Sequence, residues 1–236
     1  SVRCMEWRNI ILRISVVVTT YNGKMHLEKQ LLSLLQQERA PDEVLIFDDG
    51  STDGTIELVQ SFIRKNCLES WQFYVNAKRK GWKQNFMEGL RKAAGDILFP
   101  CDQDDIWYPR KLAEMTAVME QHPEIKLLAC DYRVLYESGA LKATVYKKTP
   151  AETQGLITRY GFTKHFFMNP YPGCTYAVRR DFFDAVKELW FDGSPHDEFL
   201  WLMAAVQDGA WFYNRVLMDY VRYSCLLYTS PSPRDA

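Results

Sequence analysis

The sequence predicts an α/β fold, a mostly parallel central sheet with helices on both faces, and three observations predict it. Four short apolar runs, residues 14–20, 43–47, 71–75 and 97–101, alternate with helical patterns across short connections. The first and last of these runs are apolar almost without interruption, as in strands buried on both faces. Three of the four end in polar loops. Right-handed crossovers make such strands parallel, so those loops gather along one edge of the sheet.

Taken in order, Ile14–Thr20 is a β-branched strand that ends in Thr19, Thr20, Tyr21, Asn22 and Gly23. A helix follows, because His26, Leu27, Leu31, Leu32, Leu34 and Leu35 recur near a 3.6-residue period with charged and Gln residues between them. Pro41 ends that segment. Residues 43–47 make a second strand, closed by Asp48, Asp49, Gly50, Ser51, Thr52, Asp53 and Gly54. Asp53 is the expected N-cap of a helix carrying Ile56, Leu58, Val59 and Phe62. Trp71–Val75 is a third strand, and residues 76–81 lead into a helix that runs through Ala94.

The fourth strand, Ile97–Cys101, delivers Asp102, Gln103, Asp104 and Asp105, and Pro109 suits the first turn of the helix expected next. Asp is a common cap and turn residue, so one here would be unremarkable. Three in four positions repel one another unless a proton or cation takes up the charge. A hard divalent ion, Mn2+ or Mg2+, held by one or two carboxylates and phosphate oxygens, answers that repulsion, and the C-terminal ends of strands are where open α/β sheets bind ligands. Asp49, on a neighbouring loop, can accept hydrogen bonds from a nucleobase imide or a ribose hydroxyl, with Thr19 and Tyr21 flanking the same ligand. By itself the Asp48 to Ser51 segment reads as a turn and a cap. Its place beside the other loops favours a binding role.

The second half is less regular. Residues 127–135 read as a strand, 143–147 as a further short strand, 149–161 as a loop, 174–178 as a strand and 181–189 as a helix. Ser194 as N-cap and Pro195 at the first helical position open a helix that is apolar nearly all round from residue 199 to 206, and such helices are buried. That places Asp197 at the acidic position of a capping box. It also puts a carboxylate at the end of a buried helix, where it can serve a site as a base.

Length and charge bound the function. The 236 residues, 47% hydrophobic and 14% aromatic, suffice for one domain with a full core. Balanced charge, 29 basic against 30 acidic residues, gives no footprint for nucleic acid. Six cysteines without a Cys-x-x-Cys pair argue against a zinc site and fit thiols kept reduced in a cytoplasm. Arg13 interrupts the best apolar segment, so neither a membrane span nor a signal peptide is expected. Met5 reads as the start of translation, and residues 225–236 resemble the read-through of a sequencing adapter. The expectation is one domain over residues 1–224, truncated at its C-terminus, with a non-native tail.

Residues 16–23, 47–55, 95–112, 173–180 and 196–205, in this order and spacing, resemble a family 2 glycosyltransferase of the GT-A fold. The Asp-Gln-Asp-Asp-Ile-Trp stretch is most similar to the bacterial rhamnosyltransferase-like branch, and the likeness covers roughly residues 12 to 224. The resemblance implies that Thr19, Tyr21 and Asp49 contact the base and ribose of a nucleotide sugar. It makes Asp102 and Asp104 the Asp-x-Asp pair, with Asp102 touching donor and metal and Asp104 the direct metal ligand, and it makes Asp197 the general base of an inverting transfer. The implied partners are a UDP- or dTDP-linked sugar and a saccharide or lipid-linked acceptor, as in cell-surface polysaccharide synthesis. The implied place is the cytoplasm or the inner face of the plasma membrane. Two departures stand out. Arg79 occupies a position where the family has Asn, and the family's closing Tyr-Arg-x-His segment survives only as Tyr220, Arg222 and Tyr223.

Other classes fit less well. A haloacid-dehalogenase-type phosphatase carries Asp-x-Asp after its first strand, whereas three crossovers come first here. A phosphate receiver module is about half this length, and a nucleotidyltransferase needs a Gly-rich basic loop after the first strand that is absent. A non-catalytic nucleotide-sugar-binding domain is the remaining alternative.

Overall fold

The computed structural model describes residues 11–136, 144–145, 156–160, 169 and 171–222. In chain order the first half comprises β1 (Ile14–Thr20), α1 (Leu27–Leu35), β2 (Glu43–Asp48), α2 (Thr55–Lys65), β3 (Trp71–Val75), α3 (Trp82–Lys92) and β4 (Ile97–Cys101). The second half adds β5 (Ile106–Trp107), α4 (Lys111–Gln121), β6 (Leu127–Tyr136), β7 (Thr144–Val145), β8 (Ile157–Arg159), β9 (Tyr176–Arg179), α5 (Arg180–Val186), α6 (His196–Val206) and β10 (Ala210–Arg222).

One sheet runs β3-β2-β1-β4-β9-β6-β10-β5, with β7 on β6 and β8 on β10. Parallel ladders join β3, β2, β1 and β4, and a long one joins β6 to β10. The antiparallel pairings are short. Moving from β1 to β2 to β3 takes the chain one way across the sheet, and β4 returns to the other side of β1. Right-handed crossovers then set α1 and α2 on one face and α3 on the other, and the reversal beside β1 opens the crevice in which such sheets bind ligands.

All seven residues of β1 are buried, and Val16, Val17 and Val18 are wholly enclosed. Burying each of these side chains stabilises by about 1.5 to 3 kcal/mol. Gly89 lets α3 lie close to the sheet, since a Cβ there would strike Val17 and come within 3.0 Å of the Phe47 ring.

Several local expectations are corrected. The cap of α2 is Gly54 at φ +94°, and Asp53 instead accepts bonds from the Thr55 amide and hydroxyl at 3.0 and 2.6 Å. Pro109 lies outside α4, because Ile106–Trp107 first pairs as β5 with Met218 and Asp219 of β10. The loop expected at 149–161 contains β8, the strand expected at 174–178 begins as a 3-10 turn, Gly173–Thr175, and the helix expected over 181–189 ends as another, Lys187–Leu189. The cap of α6 is Pro195 rather than Ser194, so Asp197 is its second helical residue and the expected capping box does not form. The adapter-like tail and Met5 lie outside the described residues. Among the described residues no helix is long and apolar enough to cross a membrane.

Candidate functional site

The loops after β1 and β2 are sewn to one another. Asn22 bends through φ +48°; its amide donates to Ser51 Oγ at 2.8 Å and its side-chain oxygen accepts the Thr52 amide at 2.9 Å. Gly23 donates to Thr55 Oγ1 at 3.0 Å. Asp48, fully buried, accepts the amides of Gly50 and Ser51 and the Ser51 hydroxyl, so the first carboxylate of the Asp-Asp-Gly-Ser segment shapes its own turn. Thr19 is buried and Tyr21 half-buried at the rim of this assembly.

Asp49 reaches the other way, to the loop after β3. Its Oδ1 accepts Asn76 Nδ2 at 3.0 Å and the Lys80 amide at 2.8 Å, and its Oδ2 accepts the Gly81 amide at 2.8 Å. Gly81, at φ +85°, supplies the left-handed turn that aims this amide. Arg79 brings Nε within 3.9 Å of Oδ2 and lays its guanidinium 4.0 Å from the centroid of the Tyr21 ring. Tyr21 and Asp49 are thus bridged by the residue that departs from the family pattern. Oδ2 keeps acceptor capacity for a ligand, while Oδ1 has spent its own.

At the end of β4, the acidic stretch divides its labour. Gln103 turns back, its Oε1 accepting the Thr20 hydroxyl at 2.8 Å and the Tyr21 amide at 2.9 Å. Asp104 lies within electrostatic reach of His26 at the start of α1, and burial lifts its carboxyl above the ordinary range. Asp102, Asp105 and Cys174 converge, with ligand atoms within 4.8 Å of one another. The structure brings Asp102 to that cluster and leaves Asp104 outside it.

Asp105 is 1% exposed and lies against the Cys174 thiol, which is its side-chain hydrogen-bond partner. Burial, then the charges of Asp102 and Asp104, hold its carboxyl well above the ordinary range. Burial, then Asp105, pushes up the Cys174 thiol, and burial, then Cys174 and Asp102, does the same to the Tyr220 phenol. Beneath them lies Lys111, wholly enclosed, donating to the Cys174 carbonyl at 2.7 Å and 4.3 Å from the centroid of the Trp107 ring. Two carboxylates and a thiol whose ligand atoms lie this close together are a donor set that fits a divalent ion.

Asp197 comes in from α6 and is buried, its Oδ1 accepting the Glu198 amide at 2.9 Å. Its neighbour His196 stacks on Phe86 of α3 with centroids 4.1 Å apart and meets Trp82 edge-on at 5.7 Å. A Cβ at Gly173 would stand 2.6 Å from His196 Nε2 and 3.0 Å from Asp197 Cβ. The bare glycine therefore lets the start of α6 press against the residue next to Cys174.

Sequence reasoning missed Gln103, Cys174 and Lys111 as parts of the site. No local sequence signal marks Cys174, whose place follows from long-range pairing. The β4 and β9 ladder pairs Leu98 with Val178, and extending its register sets Asp102 abreast of Cys174.

The model of the family described as glycosyl transferase family 2 matches residues 15–184. The chain is 24% identical over 213 residues to dTDP-rhamnosyl transferase RfbG of Shigella flexneri, covering 84% of this chain and 68% of that one. It is 28% identical over 155 residues to the poly(ribitol-phosphate) beta-N-acetylglucosaminyltransferase TarS of Staphylococcus aureus, covering 65% of this chain and 26% of that one. Among solved structures, a TarS fragment in complex with UDP-GlcNAc superposes with a TM-score of 0.71 at 18% identity, covering 94% of this chain and 63% of that one. The mannosyltransferase PcManGT from Pyrobaculum calidifontis, in complex with GDP-Man and Mn2+, gives 0.60 at 20%, covering 93% and 58%. The chain thus spans less than two thirds of the length of these two solved chains and about a quarter of full-length TarS.

Proposed function

The chain belongs to glycosyl transferase family 2 and has the GT-A fold, and from that premise we propose that it moves a sugar, with inversion, from a UDP- or dTDP-linked donor to a hydroxyl of a saccharide or lipid-linked acceptor. The observation that carries this reading is the meeting of four segments at one sheet edge: the Tyr21 loop, the Asp49 loop, the acidic end of β4 and the start of α6. Residues 1–224 are read as one domain acting in the cytoplasm or at the inner face of the plasma membrane, in the synthesis of cell-surface polysaccharide.

Thr19, Tyr21 and the spare acceptor of Asp49 hold the base and ribose of the donor. Gln103 fixes the Tyr21 backbone, so the nucleotide rests on a loop that is already ordered. Asp102 and its neighbours hold a divalent cation, Mn2+ or Mg2+, which when bound supplies charge stabilisation at the leaving diphosphate worth several kcal/mol. Asp197 takes the proton from the acceptor hydroxyl as that oxygen attacks the anomeric carbon from the face opposite the leaving group. Its buried setting at a helix N-terminus keeps the carboxylate oriented.

Thermal unfolding with a panel of nucleoside diphosphates and their sugars, with and without Mn2+, tests the reading. Ligand at a hundredfold excess over Kd stabilises by roughly 2.7 kcal/mol. A Mn2+-dependent rise is expected with a uridine or thymidine diphosphate, and Asp102→Asn is expected to abolish it while leaving the metal-free chain as stable as before or more so, by relief of repulsion with Asp105. No rise with any nucleotide would refute the donor assignment.

A further inference from the structure

Among the described residues, only two of the tryptophans and phenylalanines are exposed, Trp82 at 49% and Phe191 at 68%, and both lie on one strip of surface. Leu189, two residues before Phe191, is 65% exposed. The segment that carries Leu189 and Phe191 is bound along α3 at two points: Lys83 donates to the Gly193 carbonyl, and about two turns further on Arg91 donates to the Lys187 carbonyl at 2.9 Å. Arg91 also lies 5.8 Å from the centroid of the Trp190 ring. The Lys83 ammonium is 5.7 Å from the centroid of the Trp82 ring, which joins Trp82 to the same strip.

Positive charge gathers at one end of it. Residues 78–83 carry Lys78, Arg79, Lys80 and Lys83 with no acid among them, in a chain whose formal net charge is -1. Glu88 pairs with Lys80, Asp184 pairs with Lys187, and Glu188 and Asp192 are exposed acids of the strip, so the positive field is concentrated on Lys78, Arg79 and Lys83. Apolar side chains beside cations suit the face of an anionic bilayer, where Trp, Phe and Leu enter the boundary of headgroup and acyl chain and Lys and Arg meet the headgroup phosphates. The strip also borders the proposed transfer site. Asp49 is held by the Lys80 and Gly81 amides, and Trp82 meets edge-on His196, the residue before Asp197.

We propose that this strip, with Lys78, Arg79, Trp82, Lys83, Leu189 and Phe191, docks the chain on an anionic phospholipid surface and turns the mouth of the transfer site toward the bilayer. The inference rests on the reading of a lipid-linked acceptor and gives the side from which that acceptor arrives. A hydroxyl anchored in the same bilayer is then held near Asp197 at the high effective concentration of a tethered pair.

Co-sedimentation of the full chain with vesicles of phosphatidylglycerol and phosphatidylcholine in equal parts, and with vesicles of phosphatidylcholine alone, tests this. The chain is expected to bind the anionic vesicles much more tightly than the neutral ones, and less tightly as salt is raised. A cation near the surface contributes roughly a fivefold factor, so Lys78→Gln combined with Lys83→Gln should weaken binding roughly twenty-five-fold. Phe191→Ser should weaken it roughly tenfold, whereas Met25→Ser, at an apolar side chain 82% exposed elsewhere, should leave it unchanged. The comparison of the two lipids needs no variant. Equal binding to both, binding to neither, or binding that survives the lysine pair and Phe191→Ser alike overturns the proposal. Retention by soluble polyphosphate without binding to vesicles overturns it too and assigns these cations to a polyanion. Nucleoside diphosphate titration in the absence of lipid separates the two readings. Vesicle binding by a chain that binds no nucleotide supports docking and overturns the donor reading alone, while nucleotide binding without vesicle binding overturns docking and leaves the donor reading standing.

Discussion

Gly23 has no side chain because Gln103 occupies the space: a Cβ at position 23 would collide with Gln103 Oε1 and stand 3.0 Å from Thr20 Oγ1. That same Gln103 oxygen accepts the Thr20 hydroxyl and the Tyr21 amide. The middle residue of the Asp-Gln-Asp stretch is therefore a clasp between the loops after β1 and β4. Gly23→Ala should displace it, costing about 1 to 3 kcal/mol of stability through overpacking and weakening nucleoside diphosphate binding roughly tenfold through lost preorganisation of the Tyr21 loop. Denaturant unfolding and nucleotide titration check both halves, and an unchanged affinity would show that the clasp serves stability alone.

Arg79 offers a second test of the same loop. Its side chain is 64% exposed, yet its guanidinium covers the Tyr21 ring and approaches Asp49. An exposed ion pair of this kind contributes about 0 to 1 kcal/mol, so Arg79→Ala should leave stability within about that range. The cation faces the proposed donor site, so nucleoside diphosphate affinity should fall and lose part of its salt dependence. Titrations at low and high ionic strength read this out. Equal affinity and equal salt slope in variant and parent would remove Arg79 from donor binding.

How much of this was legible in the sequence follows from what is local. The bounds of β1, β3 and β4 follow from short, largely apolar runs, and the three polar loops follow as the punctuation after the strands. β10, the longest strand, went unread because its register slips between Tyr213 and Val216 and again between Val216 and Asp219, which destroys a period of two. β5 is only two residues long and exists through its pairing with Met218 and Asp219. Lys111 reads as an ordinary solvated helix residue, since buried lysines are rare, and only the packing of α4 under the site encloses it. Cys174 reaches Asp102 through a ladder between residues some eighty positions apart, which no local pattern announces.

Alkaline pH should weaken the fold through its phenols. Tyr108 donates to Asp219 at 2.7 Å, and Arg133 holds the same carboxylate with two further bonds. Burial, then Asp219, raises the Tyr108 phenol to about 12, and Tyr213 is raised as well by burial and Glu114. A raised folded-state pKa means that the folded chain holds its proton longer than the unfolded one. Stability is therefore full below the ordinary phenol pKa of about 10 and falls as pH rises from there toward the folded value. Tyr108→Phe should cost about 0.5 to 1.5 kcal/mol at neutral pH and flatten the decline above pH of about 10. Unfolding series across this range measure both, and an identical slope in the variant would remove Tyr108 as a source.

Asp197 carries the chemistry in the proposed reaction, and the geometry of α6 makes the test clean. With Pro195 as cap, Asp197 is the second helical residue, and its Oδ1 accepts the adjacent Glu198 amide. Asp197→Asn keeps the shape of the side chain and an oxygen to accept that bond, so its cost in stability should be about 1 kcal/mol or less. Removing a general base should lower the transfer rate by roughly 10² to 10⁴-fold with nucleotide affinity near that of the parent, a loss in kcat rather than in donor binding. Glu198, exposed and about 100° further round the helix, is the control, and Glu198→Gln should be mild. Rate measurements on folded variants with a hydrolysable or transferable donor decide the case. A severe loss at Glu198 with a mild one at Asp197 would move the base by one residue, and mild effects at both would leave a domain that binds nucleotide sugars without transferring them.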